Sequence, residues 1–248
     1  MQFEIYYLFE FLFYYFILAI SDFFLYHVSN FIHDISIKKN TRISKFETLP
    51  LQEWIFGNSV SYTFIYLIYT EKTGHLYFSF NEYNIFYTAI SPILYFLLQD
   101  FIFYTMHRIA HTPFLYKNIH WVHHKYRYPT SWAGRISNVV DSNLENIAFT
   151  FPALVLPINI YLWQFCLIFS SIWGNFLHDS TNKINIPYIN DNVDHCLHHY
   201  YGQQNCNFSY YFNHCDKIFG TYKKLKVKTD ETETLEGDKI EKKRCINN

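Results

Sequence analysis

The sequence alternates between long apolar segments and polar blocks that carry most of its histidines. The apolar segments run from about Phe3 to Phe31, from Trp54 to Tyr69, from Ile85 to Tyr104 and from Ile147 to Leu177. A helix that crosses a bilayer needs about 20 apolar residues, so the first three segments predict membrane spans. The fourth is interrupted by two prolines and is long for one crossing but short for two. It predicts a tight or partly embedded helical hairpin.

The basic residues set the predicted topology. Lys and Arg are concentrated in the loop after the first segment, in the histidine blocks and in the tail, and the positive-inside rule places those parts in the cytosol. The pattern predicts an all-α polytopic membrane protein with four to five transmembrane or membrane-embedded helices and a cytosolic, histidine-rich helical cap. We expect a single domain over residues 1–248, with anchor helices in 1–96, a catalytic region in 97–224 and a polar tail in 225–248.

Composition excludes some classes of function. Half of the 248 residues are apolar, 17% are charged and the formal net charge is −1, which argues against the clustered basic surface that nucleic-acid binding needs. The five cysteines are odd in number and form no CxxC pair, so neither a disulfide framework nor a zinc knuckle is expected.

Nine of the thirteen histidines fall into closely spaced groups. Their spacings are H-x-x-x-H, H-x-x-H-H, a single histidine and H-x-x-H-H, and helical positions i, i+3 and i+4 share one face. Each group is therefore predicted to form a ridge of imidazoles, the side chain that most often binds transition metals. Nine ligands are too many for one ion, so two metals are expected. The predicted ligands are His107, His111, His120, His123, His124, His178, His195, His198 and His199.

Carboxylates are expected around such a centre, because they orient the imidazole rings and offset the charge of the metals. Asp179 follows His178 directly, Asp194 precedes His195, and Asp100 lies just before the first group. Each of these carboxylates is also interpretable as a helix cap or a surface residue.

The chemistry favoured by this pattern is oxidation of a lipid. Iron can activate O₂ strongly enough to break an unactivated C–H bond, and an enzyme embedded in a bilayer can accept a substrate that does not dissolve in water. No catalytic residue beyond the metal ligands is predicted. The zinc-protease motif HExxH is absent because Arg108 follows His107, and no paired ExxH set of soluble di-iron proteins occurs. No GxGxxG or P-loop motif is present, so a partner protein is expected to supply electrons.

The histidine motifs resemble those of the sterol desaturase and fatty acid hydroxylase superfamily of membrane di-iron oxygenases, over about Leu97 to Lys224. The motifs are His107-Arg-Ile-Ala-His111, His120-Trp-Val-His-His124, His178-Asp179 and His195-Cys-Leu-His-His199. The tail motif N-[YF]-x-x-Y-F-x-x-W-D-x-[IL]-x-G-[TS] is similar to the stretch from Asn207 to Thr221.

Within that superfamily the chain is most similar to the lathosterol oxidases, or sterol C5-desaturases. The similarity rests on His124-Lys125, Pro129-Thr130, Ala133, Asp141, Ile172-Trp173, His178-Asp179 and Ile186-Pro187. It implies a Δ7-sterol substrate and a 5,7-diene product. It also implies two iron ions, O₂ as co-substrate, electrons from NAD(P)H through cytochrome b5 and its reductase, and a multi-pass location in the endoplasmic reticulum membrane.

Two departures from the family pattern concern single residues. Asn138 stands where the family carries the His of an H-P-x-[DE] element, and Cys215 replaces the Trp of the tail. Four residues are predicted to lie near the substrate, namely Trp132, Asn138, Asn207 and His214.

Other functions stay open on the sequence alone. The stretch from Asn205 to Phe208, with His214, is also similar to cholesterol 25-hydroxylase, and C4-methylsterol oxidases share the F-G-T ending. The alternatives are therefore a C4-methylsterol oxidase or another sterol or fatty-acyl hydroxylase. From other classes come a membrane metal-binding or transport protein and a scaffold that has lost its activity.

Overall fold

The computed structural model of the protein describes residues 75–127, 129, 131–179 and 187–224, without the side chains of Trp132 and Arg135. Seven α-helices occur in these ranges: α1 Ile85–Ala110, α2 Pro113–Asn118, α3 Val139–Thr150, α4 Pro152–Val155, α5 Ile160–Leu177, α6 Asn192–Tyr201 and α7 His214–Ile218. Three 3₁₀-helices accompany them, at His120–Lys125, Ser131–Arg135 and Gly202–Gln204. Two short strands, β1 Leu76–Tyr77 and β2 Ile158–Asn159, pair in parallel.

Helix α1, with 26 residues, is the longest helix among the described residues. The Asn84 side chain accepts a hydrogen bond from the backbone N–H of Tyr87 and so begins the helix. Pro92 lies inside it and has no N–H to give to the carbonyl of Thr88, and the Ser91 hydroxyl donates to that carbonyl instead, at 3.0 Å. The helix therefore continues unbroken to its last turn, which carries the first histidine motif.

The predicted helical hairpin is present as α3 and α5. Near the start of α3, Asp141 contacts His120, and at the end of α5 His178 contacts His123, so the chain leaves the histidine region and returns to it. The reversal is formed by α4 and β2, at the two prolines that interrupt the apolar segment. Whether this hairpin is embedded in a membrane stays a prediction.

Two clusters of buried apolar side chains pack α1, α3, α4 and α5 together. One core cluster contains Tyr95, Ala153, Ile158, Ile160, Trp163 and Cys166. A second cluster, nearer the histidines, contains Phe103, Ala148, Leu177, Tyr210 and Tyr211. The opposite faces of α1 and α5 expose large apolar side chains, among them Phe86, Ile93, Phe101, Phe165 and Ile172. Exposed apolar surface of this extent marks a face that contacts a lipid or another protein.

Among the described residues, α1 and α5 are long and apolar enough to cross a membrane. The mostly helical architecture predicted from sequence is confirmed, and Ile85–Tyr104 lies within a helix as expected. The first two apolar segments, the basic loop between them and the tail from residue 225 lie outside the described residues. The number of spans and the division into anchor, catalytic region and tail therefore stay predictions.

Candidate metal centre

All nine grouped histidines converge in the folded chain. Their ring nitrogens form two clusters, and within each cluster the nitrogens that face one another lie within 4.8 Å. The five-histidine group consists of His107, His111, His120, His124 and His198. The four-histidine group consists of His123, His178, His195 and His199. Every one of these side chains is buried. The two groups touch, since the rings of His124 and His199 have their centres 4.5 Å apart.

The boundary between the two groups runs through the sequence motifs. His107 and His111, at the end of α1, both belong to the five-histidine group. The second motif forms a 3₁₀-helix and is divided, because His123 belongs to the four-histidine group while its neighbours belong to the other. In the third motif, on α6, His198 belongs to the five-histidine group, whereas His195 and His199 belong to the four-histidine group. Helical spacing predicted that the rings of each motif come together, but it did not predict how the second and third motifs divide their rings between the two groups.

Backbone carbonyls orient four of the rings through Nδ1. His107 donates to the carbonyl of Phe208 at 3.0 Å and His123 to that of Ile136 at 3.2 Å. His178 and His198 donate to the carbonyls of Gly174 and Cys206, both at 2.7 Å. A carbonyl can only accept, so the proton of each neutral ring is on Nδ1 and the lone pair is on Nε2.

The Nε2 atoms of His123 and His178 show why a cation fits here. These two atoms lie 3.3 Å apart, and both carry lone pairs because both Nδ1 atoms donate elsewhere. Two lone pairs cannot form a hydrogen bond with each other. A metal ion between them would satisfy both, since imidazole binds such ions at about 2.0–2.1 Å and neighbouring ligand atoms on one ion then lie about 3 Å apart.

Other contacts fit the same interpretation. His120 and His124 bring their Nε2 atoms to 3.1 Å, as do His111 and His124. The Nε2 atoms of His107, His198 and His199 are buried and have no hydrogen-bond partner among the described residues. Buried polar atoms in native proteins are rarely left unpaired, so these nitrogens indicate a ligand.

The rings are also held in the neutral form that binds metal. Burial, with a smaller contribution from the neighbouring His120, lowers the pKa of His123 to about 4. Burial and the neighbouring histidines lower the pKa values of His195 and His199 well below the ordinary value. Neutral imidazoles at neutral pH can coordinate metal without first releasing a proton.

One of these rings contacts a carboxylate, that of Asp141 on the first turn of α3. Its two oxygens lie 2.9 and 2.8 Å from Nδ1 of His120, and both side chains are fully buried. This is the carboxylate–histidine arrangement that fixes metal ligands in many proteins. Sequence reasoning did not select Asp141 for this role. The available signal was its position in the element where Asn138 replaces a family histidine.

The three carboxylates selected from sequence also interact with groups other than the histidine rings. Asp100 accepts hydrogen bonds from the backbone N–H groups of Tyr210 and Tyr211, at 2.9 and 2.6 Å, and so fixes the tail against α1. Burial, with the repulsion of Asp191, raises the pKa of Asp194 to about 7. The backbone carbonyl of Asp179 accepts from the Asn192 side chain. A ring-orienting role for these three residues stays a prediction.

The predicted substrate-proximal residues are spread over several elements. Asn138 begins α3, its side chain accepting from the backbone N–H of Val140. Asn207 is fully buried with φ +55°, and its side chain bonds the backbone of Asp194 and Lys223. His214 begins α7 and is partly exposed. The Trp132 side chain lies outside the described residues. Substrate contact by any of these four stays a prediction.

Comparison with known proteins extends the similarity across most of the chain. A family model described as fatty acid hydroxylase matches residues 92–221, which include all nine histidines. A Delta(7)-sterol 5(6)-desaturase of Gibberella zeae is 33% identical over 158 residues, covering 62% of this chain and 48% of that protein. Human lathosterol oxidase is 25% identical over 215 residues, covering 85% and 70% of the two chains.

A Delta(7)-sterol 5(6)-desaturase of Aspergillus fumigatus is 28% identical over 138 residues, covering 56% of this chain and 41% of that protein. The chain thus spans less than half the length of these two fungal relatives. No solved structure matches it. Because the family model covers more than half of the chain, including both histidine groups, the chain belongs to the fatty acid hydroxylase family.

Proposed function

We propose that this protein is a membrane-bound, iron- and O₂-dependent oxidoreductase that introduces the C5 double bond into a Δ7-sterol. The observation that carries the proposal is the convergence of nine buried histidines in a chain whose relatives are named Delta(7)-sterol 5(6)-desaturase and lathosterol oxidase. Two iron ions are the proposed cofactors, one in each histidine group.

Bound iron would supply the activation of O₂ that removal of hydrogen from an unactivated carbon requires. The protein's own contribution is orientation and exclusion of water. Backbone carbonyls and Asp141 hold the rings with their metal-binding nitrogens inward, and the burial of all nine side chains keeps bulk water away from the site.

The electron balance supports the need for a partner. Formation of one double bond removes two hydrogen atoms from adjacent carbons, and O₂ becomes two waters only if two more electrons and two protons are supplied. This sequence has no nucleotide-binding motif of the GxGxxG or P-loop type, so we assign the electrons to NAD(P)H through cytochrome b5 and its reductase.

An apolar groove is consistent with a lipid substrate. It has a volume of about 500 Å³ and lies along α1, where Phe101, Ile109 and Phe219 line it and His111 of the five-histidine group reaches its wall. A groove on the exposed apolar side of a candidate membrane helix can be entered from within the bilayer. We place the protein in the endoplasmic reticulum membrane, with its histidines on the cytosolic side.

The proposal is tested by sterol profiling of cells that lack their own C5-desaturase. Expression of this protein should convert accumulated Δ7-sterol to the 5,7-diene, and His123→Ala should abolish the conversion. His75→Ala is the matched control, because His75 is an exposed histidine outside both groups. Consumption of a 4-methylsterol, or appearance of a hydroxylated lipid without the diene, would contradict C5 desaturation and indicate a hydroxylase that uses the same site.

The transport alternative makes a different prediction from the same experiment. A metal carrier would change cellular metal content but leave the sterol profile as it was. The two groups are closed clusters of buried rings joined at His124 and His199, whereas a conduction path needs ligands spaced along an accessible pore. The oxidoreductase is therefore the function that the geometry supports best.

A further inference from the structure

A third cluster of metal-binding side chains lies where the C-terminal tail packs against α1. One ligand atom each from Asp100, His214 and Cys215 lies within 4.8 Å of the other two. The distance between Nδ1 of His214 and Oδ2 of Asp100 is 3.9 Å. None of the three residues belongs to either of the two histidine groups.

The two oxygens of Asp100 have unequal surroundings. Oδ1 accepts backbone N–H groups of Tyr210 and Tyr211 at hydrogen-bond distance, with that of Phe212 further away at 3.4 Å. Oδ2 is buried and has no hydrogen-bond partner among the described residues. It cannot be paired with bulk water either, because the side chain as a whole is inaccessible to solvent. An unpaired oxygen of a buried carboxylate costs free energy, so a cation bound to this oxygen would stabilise the protein.

Cys215 and His214 supply the other two atoms. Cys215 is 2% exposed and replaces the tryptophan that the family's tail motif carries, so this thiol is a departure of this chain from the pattern. Burial, together with the carboxylates of Asp100 and Asp216, raises the pKa of the Cys215 thiol to about 12. His214 is the exposed member, with 40% of its side chain accessible.

We propose that Asp100, His214 and Cys215 form a binding site for one divalent metal ion of the zinc class, separate from the two histidine groups. A carboxylate oxygen, an imidazole nitrogen and a thiolate sulfur are the three donor types that zinc takes in proteins, and three protein ligands leave a fourth position open. On binding, the Sγ–H bond breaks, the sulfur electron pair goes to the metal and the proton leaves to solvent.

The geometry needs little adjustment. Ligand atoms on a tetrahedral zinc ion lie about 3.3–3.8 Å apart, so the measured 3.9 Å between His214 and Asp100 is close to that required. The sulfur has to move by no more than about 1 Å, because all three atoms are already within 4.8 Å. The exposed face of His214 provides the route by which an ion enters.

Sulfur distinguishes this site experimentally from the histidine groups. Both of those groups offer nitrogen ligands alone, whereas the third cluster contains a thiolate. Cobalt(II) replaces zinc at such sites, and a thiolate bound to cobalt(II) gives an intense near-ultraviolet charge-transfer absorption that imidazole does not give. The proposal stands independently of the sterol reaction, because the readout requires no turnover.

The experiment is a cobalt(II) titration of the full chain in lipid nanodiscs, followed by absorption. We expect a charge-transfer band that saturates at one ion per chain, is abolished in Cys215→Ser and is unchanged in Cys166→Ser, a buried cysteine of α5 outside the cluster. His214→Ala, at a partly exposed position, should weaken cobalt(II) binding at least tenfold while the band remains at saturation.

Three results would overturn the proposal. They are no charge-transfer band at any cobalt(II) concentration, a band that survives Cys215→Ser, and a band whose titration midpoint is the same in His214→Ala as in the unaltered protein. Should Cys215→Ser fail to fold, the shift of the midpoint in His214→Ala decides the question alone, with Cys166→Ser again as the control.

Discussion

The five-histidine and four-histidine groups differ in what holds their rings. In the five-histidine group, the Asp141 carboxylate contacts His120, and the carbonyls of Phe208 and Cys206 orient two more rings. In the four-histidine group, the carbonyls of Ile136 and Gly174 orient His123 and His178. A carboxylate brings a full negative charge to a ring, whereas a carbonyl brings a dipole. We therefore expect a metal ion to be held more tightly in the five-histidine group.

Removal of one ligand from each group has the largest expected effect. His111→Ala should empty the five-histidine group and His195→Ala the four-histidine group, because each loses a coordinating nitrogen. We expect bound iron to fall from about two ions per chain to about one, and turnover to fall by more than about 100-fold in both variants. Elemental analysis of purified protein checks this, with His75→Ala as the control. Undiminished iron in either variant contradicts the two-group assignment.

Asp141→Asn tests the difference between the groups directly. The substitution removes the negative charge beside His120 but retains the shape of the side chain. We expect affinity at the five-histidine group to fall by about 10–100-fold, while the four-histidine group keeps its affinity. Competition with a chelator, which should release the two ions in separate phases, measures each group.

Glu145→Gln is the matched control for that variant. Glu145 lies one helical turn after Asp141 and near His120, but the hydrogen bond from the ring goes to Asp141. The same exchange of carboxylate for amide should therefore have a much smaller effect on metal release. An equal shift of both release phases in Asp141→Asn would remove the distinction between the groups.

Gly134→Ala perturbs the other group. A methyl group at this position would lie 2.6 Å from Nδ1 of His178, a contact too close for the ring to stay in place. The ring would move away from the carbonyl of Gly174, and we expect affinity at the four-histidine group to fall by about tenfold. The chelator experiment reads the effect, and Ser131→Ala in the same 3₁₀-helix controls for local disturbance. A loss of metal affinity confined to the five-histidine group would contradict this prediction.

Asp216→Asn has the smallest expected effect on the metals and acts through the backbone. Asp216 accepts hydrogen bonds from the N–H groups of Phe208 and Ser209, at 2.8 and 2.9 Å, and Phe208 in turn provides the carbonyl that orients His107. We expect the free energy of unfolding to fall by about 1–3 kcal/mol. Iron affinity should fall by a small factor at the five-histidine group alone. Denaturant titration measures the stability, with the exposed Lys217→Ala as control.

Patterns within the sequence were enough to predict where the long helices form and which histidines are candidate ligands. Apolar segments predicted a helix over Ile85–Tyr104, which lies within α1, and a helical hairpin over Ile147–Leu177, where the end of α3 and the whole of α5 are found. These predictions succeed because local periodicity and proline position act over a few residues. The spacing of the histidines selected the nine residues that converge in the fold. It also carried the family resemblance, which the family match confirms.

The division of those nine residues into two groups, in contrast, follows from contacts between distant parts of the chain. His107 meets the carbonyl of Phe208 across 101 residues, and His120 meets Asp141 across 21. Such pairings depend on how α1, α3 and the tail pack together, which residue spacing within a motif does not encode. For the same reason Asp100, which the sequence placed beside the histidines, packs against the tail near His214 and Cys215. Local pattern fixes which side chains are available, and long-range packing fixes which of them meet.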